Sequence, residues 1–449
     1  MQKFCMKKLN LILIAVLAIQ VSFGQDLSKM EEIMNLYTSQ YKFNGTALVA
    51  HKGKILLDKG YGYRIVKDSV KHDPSSVFQI GSVTKQFTAV VILKLQEEKK
   101  LKVTDKLSKY FPDYPKGDSI TIHQLLSHTS GIFNYTNDAE FMNKEVTNPA
   151  TREKMMARFK DKPLDFTPGT KWSYSNSGYL LLGYIIEDVA KMSWEKAVRN
   201  YIFNKAGMQQ SGFDFAHLQH SGKSTGYFRM KADGNTPAPV VDSSVSYAAG
   251  SIFSTTNDLY KWFLALQSNK LIREASREMA FTPVMDKYGY GWGMDTLAGK
   301  RSIGHSGGIH GFVSNMVFIP EDSTVIILLS NLSTPHLSGM TRSLFAVIYN
   351  LPYELPKEKS AIAMTEEELK HYTGIFDLNA DLVVKVYVEN GKLIGAPEGQ
   401  EPLQLHPEKK DHFFLKEIEA KIRFNRNEKG EVESMTLFQN GSEITGKKR

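Results

Sequence analysis

The sequence predicts an α+β fold: a mainly antiparallel β-sheet flanked by helices, followed by a small all-β, barrel-like domain. Three observations carry this. Helical and strand patterns alternate through residues 26–350. An apolar hairpin lies near each end of that stretch, which brings its terminal segments together in one sheet. Beyond 351–365, where two prolines and mixed charge mark a linker, short alternating runs and Asn-Gly turns take over. Length agrees, since 449 residues exceed the roughly 250–300 at which one core stops growing. The expected division is a leader over 1–24, a large domain over 25–350, the linker, and a small β domain over 366–449.

The leader rests on Lys3, Lys7 and Lys8, an apolar run from Leu9 to Ile19 broken only by Asn10, and small residues at Ser22-Phe23-Gly24. About 10 apolar residues are too few to cross a bilayer of ~30 Å as a helix. A cleaved signal peptide is therefore expected, with export to the periplasm or the medium and no membrane span afterwards. Cys5, the single cysteine, would leave with it, which excludes a disulfide framework, a Cys-ligated metal and a cysteine nucleophile.

The elements follow in order. Asp26 to Tyr41 has helical spacing through Leu27, Met30, Ile33, Met34 and Tyr37. Thr46–Ala50 and Lys54–Tyr63 read as strands around a Lys52-Gly53 turn. Ser82 to Lys99 is a helix with an apolar stripe of Val83, Phe87, Val90, Val91 and Leu95. Further helices are expected from Ile122, over Gly178–Met192 and Asn257–Gln267, and around Leu344–Tyr349. Val313–Ile319 and Thr324–Ser330 form the second hairpin around Pro320-Glu321-Asp322. In the small domain, Leu382–Val388, His412–Leu415 and Ile422–Phe424 are strand-like, and Asn390-Gly391 and Asn440-Gly441 are hairpin turns.

Net charge is +8 with no Lys/Arg-rich stripe, so nucleic acid is not an expected partner. The 12 histidines show no HExxH or HxxxH spacing, so no metal or other cofactor is expected. Two serine motifs compete as the nucleophile. Gly304-His305-Ser306-Gly307-Gly308 matches G-x-S-x-G, but it runs into a strand where the nucleophile elbow needs a helix. S-x-x-K occurs three times, at Ser39-Lys42, Ser82-Lys85 and Ser193-Lys196. Only Ser82 opens a strongly apolar helix. There the i, i+3 spacing puts Lys85 on the same face, and burial would lower the amine's pKa towards a useful base. Taken alone, the pair reads better as an ordinary helix N-cap with a solvated lysine one turn later.

Tyr174 and Asn176 offer a phenol and an amide in a loop that enters a helix; near an ammonium the phenol's pKa would fall and let it relay a proton. Tyr135 and Asn137 have the same spacing, so this pattern is also weak alone. His305-Ser306-Gly307-Gly308 suits a strand that admits a substrate backbone and supplies N–H donors; His305 can also be read as a structural histidine beside tight glycine packing.

Together, Ser82-Val83-Thr84-Lys85, Tyr174-Ser175-Asn176 and His305-Ser306-Gly307 resemble the three ordered motifs of the serine β-lactamase and penicillin-recognising DD-peptidase superfamily. The match lies in its class C β-lactamase and D-Ala-D-Ala carboxypeptidase branch, which also holds esterases and D-aminopeptidases. His123 to Gly131 and Tyr288-Gly289-Tyr290-Gly291-Trp292-Gly293 resemble it as well, and the similarity covers about 40–350. Tyr372-Thr373-Gly374-Ile375-Phe376 resembles the start of lipocalin-like modules found after such domains.

The resemblance implies a sheet with an inserted helical region and an acyl-enzyme on Ser82. Lys85 and Tyr174 would share proton transfer, with the base left open between them. Asn176, His305, Ser306 and Gly307 would bind substrate, and the N–H groups of Ser82 and Gly308 would form the oxyanion hole. Where β-lactamases of this branch usually carry Lys-Thr-Gly, this chain has His-Ser-Gly. Histidine is mostly neutral at pH 7, which favours peptidase or esterase chemistry over efficient β-lactam turnover. The expected function is a secreted serine hydrolase acting on D-amino-acid peptides of the cell wall or on small esters, with peptidoglycan as a partner. The alternatives are a true β-lactamase and a non-catalytic sensor of wall fragments.

Overall fold

The computed structural model describes residues 26–297, 299–334, 336–355, 361–379, 382–398, 402–415, 420–439 and 442–449. The expected leader over 1–24 and the expected Asn440-Gly441 turn lie outside them. No helix among the described residues is long and apolar enough to cross a membrane. The chain divides into two compact units after Leu355.

The first unit is built on six strands: β1 (Gly45–His51), β2 (Lys54–Tyr61), β3 (Gly293–Leu297), β4 (Lys300–Ile309), β5 (Phe312–Ile319) and β6 (Thr324–Ser330). They are antiparallel in the order β2-β1-β6-β5-β4-β3. The two terminal hairpins therefore join at the centre, where Gly45 pairs with Ser330 and Ala50 with Val325. Because side chains alternate across a strand, β1 and β6 serve two cores. Ala47, Val49, Ile326 and Leu328 face a helix over 26–39 (α1) and a helix near the end of the unit, through Met30, Ile33, Met340 and Leu344. Leu48, Ala50, Ile327 and Leu329 face the larger helical side.

On that side lie α2 (Thr84–Glu97), α3 (Ile122–Leu126), α4 (Asn176–Ala190), α5 (Ser243–Gly250) and α6 (Thr256–Gln267); the helix packed on α1's side is α7 (Leu337–Ile348). In α2, Phe87, Val90, Val91, Ile92, Leu93 and Leu95 are all buried, so the helix is enclosed on every side. Full burial of one such side chain contributes about 1.5–3 kcal/mol. The expected helix start at Ser82 is corrected. Gly81–Val83 form a 3₁₀ turn and α2 begins at Thr84, with no side-chain cap on either.

The second unit opens with a short helix, α8 (Glu366–Lys370), closed at its N-terminus by a reciprocal Thr365–Glu368 capping box. Eight strands then close into a barrel: β7 (Gly374–Asn379), β8 (Leu382–Glu389), β9 (Lys392–Pro397), β10 (Leu403–Lys409), β11 (His412–Phe414), β12 (Ala420–Arg426), β13 (Val432–Gln439) and β14 (Ser442–Lys448). Asn390 and Gly391 both take left-handed backbone, at φ +50° and +70°, as a two-residue hairpin loop requires. Tyr372, Phe376, Phe413 and Phe424 fill the interior with rings 4.8–5.5 Å apart.

Candidate active site

Ser82 is placed by a tight reversal. The short strand Phe78–Gln79 ends at Ile80, whose N–H donates to the Ile252 carbonyl at 2.9 Å. Gly81 then takes φ +51°, and a Cβ there would meet the Gly308 nitrogen at 2.8 Å. Only glycine fits both demands. The 3₁₀ turn and the first turn of α2 carry Ser82 and Lys85 on one face.

Lys85 is fully buried. Its Nζ lies 2.7 Å from Asn176 Oδ1, 2.8 Å from the Ala249 carbonyl and 3.1 Å from Ser82 Oγ. The first two partners can only accept. They take the two hydrogens of a neutral amine and leave its lone pair facing the serine hydroxyl. Burial lowers the Lys85 pKa well below its ordinary value, which favours that neutral form.

Three elements hold those acceptors. Asn176 opens α4; its backbone N–H donates to Asn134 Oδ1 at 3.0 Å and its Nδ2 to Thr136 Oγ1 at 3.1 Å. Ala249 follows a break in α5 at Tyr247, whose backbone sits at φ +35°, ψ −132°. Thr88, one turn on from Lys85, donates to the neighbouring Ala248 carbonyl at 2.7 Å. Asn134, Thr136 and Ala249 were not singled out from the sequence as site residues. A backbone carbonyl leaves no residue-type signal, while Asn134 directly precedes the second Y-x-N and Thr136 is its middle residue.

Tyr174 stacks beside this node, with Lys85 Nζ 4.8 Å from its ring centre and the His128 ring 4.3 Å away. Its hydroxyl is buried without a completed hydrogen bond. The expectation that a nearby ammonium lowers its pKa is corrected. Burial raises it, the nearby Ser82 hydroxyl offsets only part of this, and the phenol keeps its proton. The cause is that Lys85 is driven towards neutrality in the same dry setting. His128, with left-handed backbone at φ +59°, accepts the Ser175 N–H on Nδ1 at 3.2 Å and so fixes the chain between Tyr174 and Asn176.

The competing motifs separate here. Ser193 caps its own helix by accepting the Lys196 N–H, and exposed Ser39 donates to the Leu36 carbonyl. Tyr135 donates to the Val245 carbonyl at 3.0 Å, so its phenol is committed elsewhere.

On the other flank, β4 passes against the Ser82 turn. A Cβ on Gly307 would lie 2.1 Å from the Ile80 carbonyl oxygen and 3.0 Å from Ser82 N, whereas one on Gly308 would meet nothing within 4 Å. Strand β3 pairs with β4 only as far as Gly304, so His305 to Ile309 have no strand partner on that side. His305 places Nε2 2.8 Å from the Tyr288 hydroxyl and Nδ1 against the Ser306 carbonyl. Burial, with Lys85 nearby, brings its pKa down to about 4. A cavity of about 470 Å³ opens here, lined by Trp172, Tyr174, Tyr288, His305, Ser306 and Arg342 among others; Ser82 is not part of its lining. The structure thus brings Ser82, Lys85, Tyr174 and Asn176 together. It sets Ser306, exposed, in the lining of the cavity.

Residues 28–348 match the family model described as Beta-lactamase, and 358–448 match a domain of unknown function, DUF3471. Penicillin-binding protein 4* of Bacillus subtilis is 28% identical over 93% of this chain and 98% of its own length. The putative penicillin-binding protein PbpX of the same organism is 32% identical over 68% of this chain and 75% of its own. Among solved structures, the octameric penicillin-binding protein homologue from Pyrococcus abyssi aligns with a TM-score of 0.67 at 24% identity, covering 94% of this chain and 100% of that one.

Proposed function

This chain belongs to the beta-lactamase family of serine hydrolases, and we propose that it works through an acyl-enzyme on Ser82, opening amide or ester bonds of D-amino-acid peptides or small esters. The observation that carries this is the Lys85 amine, whose hydrogens go to Asn176 and Ala249 while its lone pair faces Ser82. Ser82 Oγ attacks the substrate carbonyl as its proton passes to Lys85. The oxyanion is met by the N–H groups of Ser82 and Gly308, and each such donor is worth about 2.7–4 kcal/mol in comparable hydrolases. Tyr174, still protonated, gives its proton to the leaving group and recovers one from the Lys85 ammonium. Water then attacks the acyl-enzyme as neutral Lys85 takes its proton, and Lys85 hands that proton to Ser82 Oγ as the ester bond breaks, which restores the starting enzyme.

Relatives named as penicillin-binding proteins support a carbonyl substrate of the acylating kind. The neutral His305 supports esters and amides over efficient β-lactam turnover. The leader over 1–24 supports export to the periplasm or medium. Intact-mass spectrometry after incubation with a penicillin or a fluorophosphonate tests the reading. The wild type gains one adduct, Ser82→Ala gains none, and the rate of mass recovery measures deacylation. An adduct that persists in Ser82→Ala, or none in the wild type, overturns it.

A further inference from the structure

Both ring nitrogens of His305 are committed to the protein. Nδ1 faces the Ser306 carbonyl, which can only accept, so Nδ1 carries the hydrogen. Nε2 of the neutral ring is then bare, and the Tyr288 hydroxyl at 2.8 Å donates to it. Tyr288 is held in place. Its ring packs on His128 at 4.8 Å and on Trp172 at 6.0 Å. Its backbone is pinned by Tyr288 N–H to the Met285 carbonyl at 2.9 Å and by Val284 N–H to its own carbonyl at 2.8 Å.

We propose that Tyr288 is a specificity-determining residue: by occupying Nε2 it withholds the ring's second nitrogen from the cavity, so His305 gives no hydrogen bond to the part of the substrate lying over β4, and that part is an ester or carboxamide in place of a free carboxylate. This rests on the acyl-enzyme reading above. The titratable groups facing His305 are Lys85 from α2, His128 after α3, Tyr174 before α4, and Tyr288 itself, and none is a carboxylate. Burial acts against an imidazolium there. At the cavity rim, Asp286 and Asp295 stand with Lys287 and Arg342, two of each sign, and Lys287 is already paired with Asp295 at 3.1 Å. Recognition along β4 therefore falls to the strand's free backbone edge and the Ser306 hydroxyl.

The test uses two acyl-D-alanyl-D-alanine substrates that differ only at the C-terminus, free acid against carboxamide. In the wild type, kcat/KM favours the carboxamide by tenfold or more from pH 6 to 8. Tyr288→Phe frees Nε2, which takes up a proton once the acid's carboxylate lies beside it, and the ratio falls below about threefold as the pH drops under 6.5. Lost packing alone would not produce that proton-linked gain for the acid. Imidazole ¹⁵N shifts give a second readout, independent of turnover. Wild-type His305 is the Nδ1–H tautomer and does not titrate above pH 5, whereas in Tyr288→Phe with a bound carboxylate at the freed Nε2 it does. His305→Lys, a permanent cation that Tyr288 cannot silence, reverses the ratio even if Tyr288→Phe folds poorly. A wild-type preference for the free acid, or an unchanged ratio and tautomer in Tyr288→Phe, overturns the inference. If the tautomer is as stated but Ser82 never acylates, the acyl-enzyme reading fails and the assignment of Tyr288 to His305 stands.

Discussion

On one flank of Ser82 an amine is sealed from water and each of its neighbours has one task. On the other, a strand edge runs bare past two glycines and a half-open histidine. Helices α2, α4 and α5 converge on Lys85 with a side-chain amide and a main-chain carbonyl, so the base is preset by hydrogen bonding and desolvation. Strand β4 does the reverse, keeping Gly307 without a side chain so that its backbone can lie flush with the Ser82 turn. Proton transfer is built from dense packing here, and substrate contact from the space left beside it.

The sharpest way to break this contrast is Lys85→Ala, expected to slow acylation by about 10²–10⁴-fold, the usual worth of a general base. Because only the neutral amine can accept the serine proton, wild-type acylation should rise with pH through the lowered Lys85 pKa, with a midpoint well below 10.5. The same shift favours folding as pH rises from that midpoint towards the unfolded lysine's ordinary value, since only the unfolded chain is protonated in that window. Stopped-flow acylation from pH 5 to 10 checks the limb. A pH-independent rate, or a Lys85→Ala variant as fast as wild type, would leave Lys85 without a role as base.

A smaller effect separates the two glycines of the strand. Gly307→Ala pushes a methyl group into the Ile80 carbonyl and should cost about 1–3 kcal/mol, as overpacking does. Gly308→Ala meets open space and should stay within ~0.5 kcal/mol. Urea midpoints compare them, and equal stabilities would mean that β4 is not held against the turn. Asn134→Ala is expected to matter least. It removes the acceptor of the Asn176 N–H, worth about 0.5–1.5 kcal/mol, so acylation should slow by no more than about tenfold. A loss as large as that of Lys85→Ala would move the centre of the site from the amine to Asn176's support.

Much of this was legible because local rules and tertiary rules agreed. The two hairpins of the large unit and the Asn390-Gly391 turn follow from strand alternation and turn chemistry, and the structure keeps them. The leading residues of the site were legible through position and resemblance together, since Ser82 alone of the three S-x-x-K serines stands just ahead of a strongly apolar helix and falls in order with the two later motifs. Legibility ended at the start of α2. A serine before an apolar run reads as a cap, yet here the chain tightens into a 3₁₀ turn and leaves that hydroxyl for Lys85. It ended too at Tyr174, because the direction of a pKa shift depends on whether the neighbouring amine is charged, and burial decides that.

Taken by itself, the amino-acid order determined the antiparallel α+β plan and the barrel that follows it, because periodicity and turn chemistry are local properties; which serine, lysine, tyrosine and asparagine to consider together came from the resemblance of three ordered motifs to a known family. Only the folded chain decided that Lys85 is a neutral acceptor, that the Ala249 carbonyl and Asn134 complete its surroundings, and that Tyr288 occupies His305. Those facts depend on desolvation and on partners from distant segments, and neither is written in any neighbourhood of the sequence.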